Sequence, residues 1–138
     1  MTADSTLNDL AARAEATAGS DEALFAAVAA VFGPALAASG DRRAVTARDL
    51  NSTDVVLHVI AHVLPGWSIR LHGRAFDPDG HWRCSLLPSE ARDEAEVIGI
   101  AHGPDLSNVL MAALLRVLAY RAGHAGQSGP AARDPAAS

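Results

Sequence analysis

The sequence predicts an α+β domain in which two N-terminal helices precede an α-β-β-β-α unit. Three observations lead to this prediction. Apolar residues recur at helical spacing before residue 65, they alternate between residues 67 and 87, and a long apolar segment follows residue 105. Because strands joined by short turns form antiparallel meanders, we expect a three-stranded antiparallel sheet packed by helices on its apolar face.

Residues 1–38 are predicted to form a helical segment that packs on the core. The first helix spans Thr6 to Thr17 and is rich in alanine. The second follows Ser20, a residue type that often caps helices, and Gly33-Pro34 stops or kinks it. Residues 39–51 are mostly polar and contain helix breakers, which predicts a linker.

The predicted α-β-β-β-α core covers residues 52–122 and begins with a third helix. That helix runs from Asp54 to Leu64, with Ser52 or Thr53 as its N-cap. Its apolar residues fall on one side, so we expect that side to be buried. Pro65-Gly66 ends it.

Three strands are predicted after this helix. Trp67–Gly73 and His81–Leu87 alternate between apolar and polar residues, and the turn Phe76–Gly80 joins them. Glu96–Ala101 is short and apolar and gives the third strand. The apolar side chains of the first two strands, which we expect the helices to cover, are Trp67, Ile69, Leu71, Trp82, Cys84 and Leu86.

The last predicted helix has Asp105 as its N-cap and runs to about Arg121. It is apolar on two sides, and a helix with two apolar faces has two partners. The second face contains Met111, Leu115 and Leu118. Either the N-terminal helices cover this face, or it is a subunit interface. Residues 123–138 are rich in Gly, Ala, Pro and Ser and are predicted to be a disordered tail.

Composition and charge argue against several classes of function and location. The 138 residues carry a net charge of -5, which argues against a general binder of nucleic acid or anionic membranes. A single cysteine, Cys84, permits no internal disulfide and fits a reducing compartment. Asp4 and Asp9 argue against a signal peptide, and no apolar run is long enough for a membrane helix. We expect a location in the cytoplasm or in a particle assembled there.

The polar face of the predicted sheet is a candidate binding site. Arg70 and His72 lie on one strand, and His81 and Arg83 lie on the next. Arginine and histidine side chains on adjacent strands could bind an anion such as a phosphate or a carboxylate. The alternative is an ordinary solvated face of an antiparallel sheet.

His58 and His62 are a weaker candidate for a metal site. Histidines four residues apart share a helix face, a spacing that can bind zinc. Val59 occupies the place where zincin proteases carry their general base, and Cys84 is predicted to lie inside the sheet. The alternative is a solvated helix face. We expect no metal, no cofactor and no catalytic residues, because the sequence contains no P-loop, dinucleotide or Ser/His/Asp pattern.

Three segments resemble small phage and prophage proteins of the phage ABA-sandwich family. Residues 10–24 resemble their opening segment, and Thr46-Ala47 with the helix ending Val63-Leu64-Pro65-Gly66-Trp67 resembles their "YTAS…LVPEGW" element. The helix from Asp105 to Arg121 resembles their alanine-rich last helix. The resemblance covers roughly residues 7–121. It implies an α/β sandwich and a phage, prophage or phage-derived context, and it implies no activity.

We therefore expect a non-enzymatic binding or assembly module that acts through a protein partner or self-association. One alternative is a nucleic-acid-associated regulator, because the α-β-β-β-α order also occurs in double-stranded-RNA-binding domains. Against it, the lysine-rich helix start of those domains is absent, and the last helix begins Asp105-Leu106-Ser107. The other alternative is a metal-dependent enzyme that uses His58 and His62.

Overall fold

The computed structural model describes residues 3–17, 19, 21–40, 45–73, 82–88 and 99–128. Within these ranges four α-helices, one 3₁₀ helix and three strands form an α+β fold, which confirms the predicted class. In chain order the elements are α1 Ala3–Ala16, α2 Glu22–Ala38, the 3₁₀ helix Arg48–Asn51, α3 Thr53–Val63, β1 Ser68–His72, β2 Trp82–Leu87, β3 Gly99–Gly103 and α4 Leu106–Ser128.

Side-chain oxygens cap the starts of three helices. Ser52 accepts a hydrogen bond from the amide of Val55 at α3, and Asp105 accepts one from the amide of Asn108 at α4, so both predicted caps are confirmed. The N-cap of α2 is Asp21, which accepts from the Leu24 amide. The predicted cap, Ser20, lies outside the described residues.

Helix α2 continues through Pro34 to Ala38, so Gly33-Pro34 does not stop it, and the alternative of a kink stays a prediction. Proline cannot donate a backbone hydrogen bond, and in a helix interior this costs stability. Leu36, in the turn that follows, is fully buried, and its burial offsets that cost. Leu50, inside the predicted linker, is also fully buried because the 3₁₀ helix carries it into the core.

The three strands form one antiparallel sheet in the order β1-β2-β3, as predicted. Strand β3, Gly99–Gly103, continues two residues beyond the predicted end at Ala101, and the predicted residues 96–98 lie outside the described residues. The predicted turn Phe76–Gly80 and His81 also lie outside them. The later end of β3 has a simple cause: its inward residues are glycine and alanine, which give no apolar signal in the sequence.

Helix α4 lies at the centre of the molecule. It packs on β2 and β3 on one side and on α1 and α3 elsewhere, which explains its two apolar faces. It extends to Ser128, so the first part of the predicted disordered tail is helical, and residues 129–138 lie outside the description. None of the helices in the described ranges has the length and hydropathy that a membrane span requires.

Two glycines let β3 approach the helices closely. A Cβ atom at Gly99 would lie 2.6 Å from the Ala113 carbonyl oxygen and from Val117 Cγ2. A Cβ atom at Gly103 would lie 2.6 Å from the Glu15 carbonyl oxygen. Strand β3 is therefore held against both α4 and α1, and this position requires residues without side chains.

Candidate functional site

Within the described residues, helices cover one face of the sheet, and the other face, called the open face, exposes most of its side chains, although Leu87 at the end of β2 is buried. On the covered face Cys84, Leu86 and Ala101 are completely buried. Successive side chains of a strand point to opposite faces, so the residues between them lie on the open face. Its charged and imidazole side chains, all exposed, are Arg70, His72, Arg83 and His102. We call these four residues the basic face.

Three members of the basic face form a row across the whole sheet. In the strand register His72 lies opposite Arg83, and Arg83 lies opposite His102. Side chains directly opposite in an antiparallel pair have Cβ atoms about 5 Å apart. Arg70 occupies the next row, opposite Ser85. An extended anionic group lying across the strands would therefore meet three of these side chains in sequence.

The structure places Arg70, His72 and Arg83 on one exposed face, as the alternation predicted. His81 lies outside the described residues. His102 was not among the predicted site residues, because the third strand was expected to end at Ala101. The signal that could have found it is the alternation of small residues at positions 99, 101 and 103 with Ile100 and His102. The anion-binding role of these residues stays a prediction.

No carboxylate shares the open face within the described parts of the three strands. The other residues on that face are Ser68, Ser85, Leu87 and Ile100. One acid, Glu15 of α1, reaches the margin of the sheet, where its Oε2 accepts a hydrogen bond from the backbone amide of His102 at 3.0 Å. Since Arg116 pairs with that carboxylate, the described residues of the open face carry positive charge, on a chain whose net charge is -5.

The Glu15–Arg116 pair stabilises the edge of the sheet formed by β3. Arg116 donates hydrogen bonds to both carboxylate oxygens of Glu15 and a third, at 2.8 Å, to the backbone oxygen of Ile100. Burial acts to raise the pKa of Glu15, but the hydrogen bonds from Arg116 and from the His102 amide, with the charges of both residues, outweigh it and lower this pKa below its ordinary value. Two backbone groups of this edge strand are thus satisfied by side chains.

Strand β1, at the other edge, extends beyond the helical layer. It pairs with β2, whereas α4 packs on β2 and β3. The guanidinium of Arg121 lies 5.6 Å from the ring centre of Trp67, which links the start of β1 to α4. Further along, Ile69 is half-buried and Leu71 is 41% exposed. The prediction that the helices cover Leu71 is wrong, because α4 lies over the other two strands.

The candidate subunit interface on the last helix is not available at the surface. Met111 and Leu115 are completely buried within the chain, and Leu118 is half-buried. Helix α1 packs along α4, and α3 also contacts it. Of the two alternatives for the second apolar face, the structure therefore favours coverage by the N-terminal helices, and Met111 and Leu115 are not exposed to another subunit.

His58 and His62 stack on each other at the surface of α3. Their ring centres are 4.0 Å apart, and Nδ1 of His62 lies 3.0 Å from the carbonyl oxygen of His58. In the part of the chain that the structure describes, no group of three His, Cys, Asp or Glu residues is arranged to hold a metal ion. A zinc ion at this pair would need a third protein ligand from elsewhere.

Cys84 is a packing residue of the sheet. It is completely buried, and burial raises the pKa of its thiol to about 12. A thiol with so high a pKa is a poor nucleophile at neutral pH. Cys84 also points away from His72 and His102, which lie on the opposite face of the sheet. Among the described strand residues, the sheet therefore does not bring a thiol and an imidazole together.

The N-terminus of α4 is filled by the chain's own groups. Asp105 accepts hydrogen bonds from the amides of Asn108 and Gly19. The side-chain amide of Asn108, which is 1% exposed, donates to the carbonyl oxygens of Thr17 and Gly19 at 2.9 and 2.8 Å. These bonds fasten the α1–α2 connection to α4 and leave this helix end without room for an external anion.

A surface cavity of about 260 Å³ lies between α2 and the 3₁₀ helix. Its charged side chains are Glu22 and Arg48, which have opposite signs, so the cavity has no excess charge to select a ligand. The residues that line it are Glu22, Phe25, Ala47, Arg48 and Asn51.

Comparison with known proteins finds no matching family model, no similar curated protein and no similar solved structure. The relation to the phage ABA-sandwich family therefore rests on the three short segments alone and stays a prediction.

Proposed function

We propose that this chain is a non-enzymatic binding module that holds a protein partner through its basic face. The observation that carries the proposal is the row His72, Arg83 and His102, with Arg70 beside it, on the open face of a sheet whose other face is buried. Guanidinium groups bind carboxylates through paired hydrogen bonds, and strands hold them in fixed positions. The partner surface that fits this face carries aspartate or glutamate.

A protein partner fits the open face better than a nucleic acid does. Single-stranded nucleic acids are usually held by aromatic side chains on which bases stack. The described residues of the open face include no Phe, Tyr or Trp side chain. A chain with 16 acidic and 11 basic residues also repels a long polyanion outside the small basic face. Double-stranded-RNA-binding domains begin their last helix with basic residues. In this chain Asp105 caps α4 instead, which argues against that alternative.

The biological context that we propose is a phage, a prophage or a phage-derived system, in the cytoplasm or in a particle. The resemblance of three segments to phage ABA-sandwich proteins supports it. Sequencing of the genomic neighbourhood tests this part separately. Genes for capsid or tail proteins beside the coding sequence are expected, and neighbours with purely metabolic roles would contradict it.

Charge reversal on the basic face tests the binding function. The probe is poly-glutamate, titrated into the protein at low salt and followed by amide NMR and calorimetry. We expect the shifted signals to centre on Arg70, His72, Arg83 and His102, and Arg83→Glu to weaken binding at least about tenfold. Arg48→Glu, which removes an exposed arginine of the 3₁₀ helix, is the matched control and should bind almost as the natural chain does.

Two results would overturn the proposal. One is equal affinity of the natural chain and Arg83→Glu for poly-glutamate. The other is tighter binding of duplex RNA than of poly-glutamate through the same four residues, which would establish the nucleic-acid alternative instead.

A further inference from the structure

The two edges of the sheet differ in how their backbone groups are used. At β3 the amide of His102 and the carbonyl of Ile100 are bound by Glu15 and Arg116. Strand β1 contacts β2, and of its two apolar side chains Ile69 packs against the core whereas Leu71 is 41% exposed. Edge strands with unsatisfied backbone groups accept additional strands, and proteins commonly block the edges they do not use. In the described part of the molecule, β3 is blocked in this way and β1 is not.

An added strand would contact two different sets of β1 side chains, one on each face of the sheet. Arg70 and His72 lie on the open face, and Ile69 and Leu71 lie on the apolar face, where Leu71 is 41% exposed. A strand beside β1 would place alternate side chains against these two sets. One set of its side chains would lie next to positive charge, and the other next to exposed apolar surface.

We infer that the partner adds an extended segment to β1 as a fourth strand, and that this segment alternates between acidic and apolar residues. The inference rests on the proposed function and names the class of partner. Acidic side chains of the segment pair with Arg70 and His72, within the field of Arg83 on the next strand. Its apolar side chains pack on Leu71 and Ile69 and cover the surface that α4 leaves exposed.

A second copy of this chain is a poorer occupant of the same edge. If two β1 strands pair in antiparallel fashion about Arg70, the two arginines lie directly opposite each other. If they pair about Leu71, Arg70 lies opposite His72 of the second copy. Like charges directly opposite in a sheet are destabilising, as in the Arg70–Arg70 pair. Pairing about Ile69 avoids that pair but places Arg70 opposite Ser68, which offers it no carboxylate. An acidic segment from a different protein places a carboxylate beside Arg70, and the side chains of β1 therefore favour it.

Synthetic peptides test the strand addition. The first probe is a capped peptide of alternating glutamate and valine, and the second has the same composition in blocks, which keeps the charge but removes the alternation. We expect calorimetry to show at least about tenfold weaker binding of the block peptide. Amide signals of Ser68–His72 should show the largest shifts with the alternating peptide.

Backbone methylation separates strand addition from simple charge attraction. In an added strand, every second amide faces β1 and the others face solvent. The alternating peptide is therefore made with N-methyl groups at the valines and, separately, at the glutamates. One of these two patterns should abolish binding and the other should be tolerated, because the side-chain pattern fixes which amides face β1.

The outcomes distinguish this inference from the proposed function. If both methylated peptides and the block peptide bind as well as the first probe, and Arg83→Glu still weakens binding at least about tenfold, strand addition is wrong while the basic face remains a binding site. If no acidic peptide binds, both are wrong. A dimer in ultracentrifugation that Leu71→Asp dissociates would also overturn the inference in favour of a second copy. Leu71 is exposed, so this variant should fold, which its melting curve verifies.

Discussion

Glu15 of α1 and Arg116 of α4 form a bidentate salt bridge, with nitrogen–oxygen distances of 2.5 and 2.7 Å. The side chains are only 17% and 28% exposed, respectively. The same guanidinium also holds the carbonyl of Ile100, and the same carboxylate holds the amide of His102. One pair thus joins two helices and the edge of the sheet.

Removal of either member of this pair should destabilise the fold. We expect Glu15→Ala and Arg116→Ala each to lower the free energy of unfolding by about 2 kcal/mol, because hydrogen bonds to charged groups in partly buried sites are lost. The double variant should lose less than the sum of the two, since the second change finds no partner to remove. Urea unfolding of all four proteins measures this. Additive losses would show that the pair contributes nothing as a pair.

Glu15 should also make stability depend on pH. Its pKa in the folded chain is lowered below the ordinary value of 4.5, with burial opposing this shift and Arg116 and the His102 amide outweighing it. The stability that it contributes is therefore complete above about pH 4.5 and is lost as the pH falls through the lower, folded value. Urea midpoints measured at decreasing pH should fall less steeply for Glu15→Gln than for the natural chain. Parallel curves would contradict the assignment.

Alanine at the two close-contact glycines should be poorly tolerated. We expect Gly99→Ala and Gly103→Ala each to cost about 1–3 kcal/mol, because the new methyl group would press on backbone atoms of α4 and α1. Gly33→Ala is the matched control: nothing lies within 4 Å of its added Cβ, and it is inside α2. That change should raise stability by about 0.5–1 kcal/mol. Thermal melting ranks the three, and equal effects would refute the close approach of β3.

Replacing the buried side-chain amide of Asn108 by a carboxylate should strongly destabilise the fold. Asn108→Asp would set a carboxylate against the carbonyl oxygens of Thr17 and Gly19, where the amide now donates two hydrogen bonds. We expect a loss of about 3 kcal/mol or more at neutral pH. Asn51→Asp, at an exposed position, should change stability by less than about 0.5 kcal/mol. Chemical denaturation of both variants gives the comparison, and a mild effect at residue 108 would contradict the bonding.

The helices and two of the strands could be predicted because their sequences carry strong local signals. The apolar stripe of α3, its cap Ser52 and the alternation of β2 need no information from the rest of the chain. Strand β3 could not be placed as well. Two of its inward positions, Gly99 and Gly103, must be glycine because α4 and α1 approach the strand closely. Such a contact leaves no periodic apolar pattern in the sequence.

The residues of the candidate site also fall into those that the sequence could predict and those that it could not. Alternation alone placed Arg70, His72 and Arg83 on one face. His102 joined them only through the register of β3 with β2. The apolar residues Met111 and Leu115 indicated that a second surface packs on α4. The sequence could not show whether that surface belongs to α1 or to another subunit. The structure gives that place to α1, because the first helix runs along the last.

The docking of α1 on α4 has a consequence for synthesis on the ribosome. Glu15 and Arg116 are 101 positions apart, so α1 leaves the exit tunnel long before its binding site on α4 exists. During that interval Leu10, Ala11 and Ala14, which the finished fold buries, have no native surface to cover them. A nascent chain stalled before α4 should therefore be degraded by proteases at α1, and completion of the fold should follow release of the last helix.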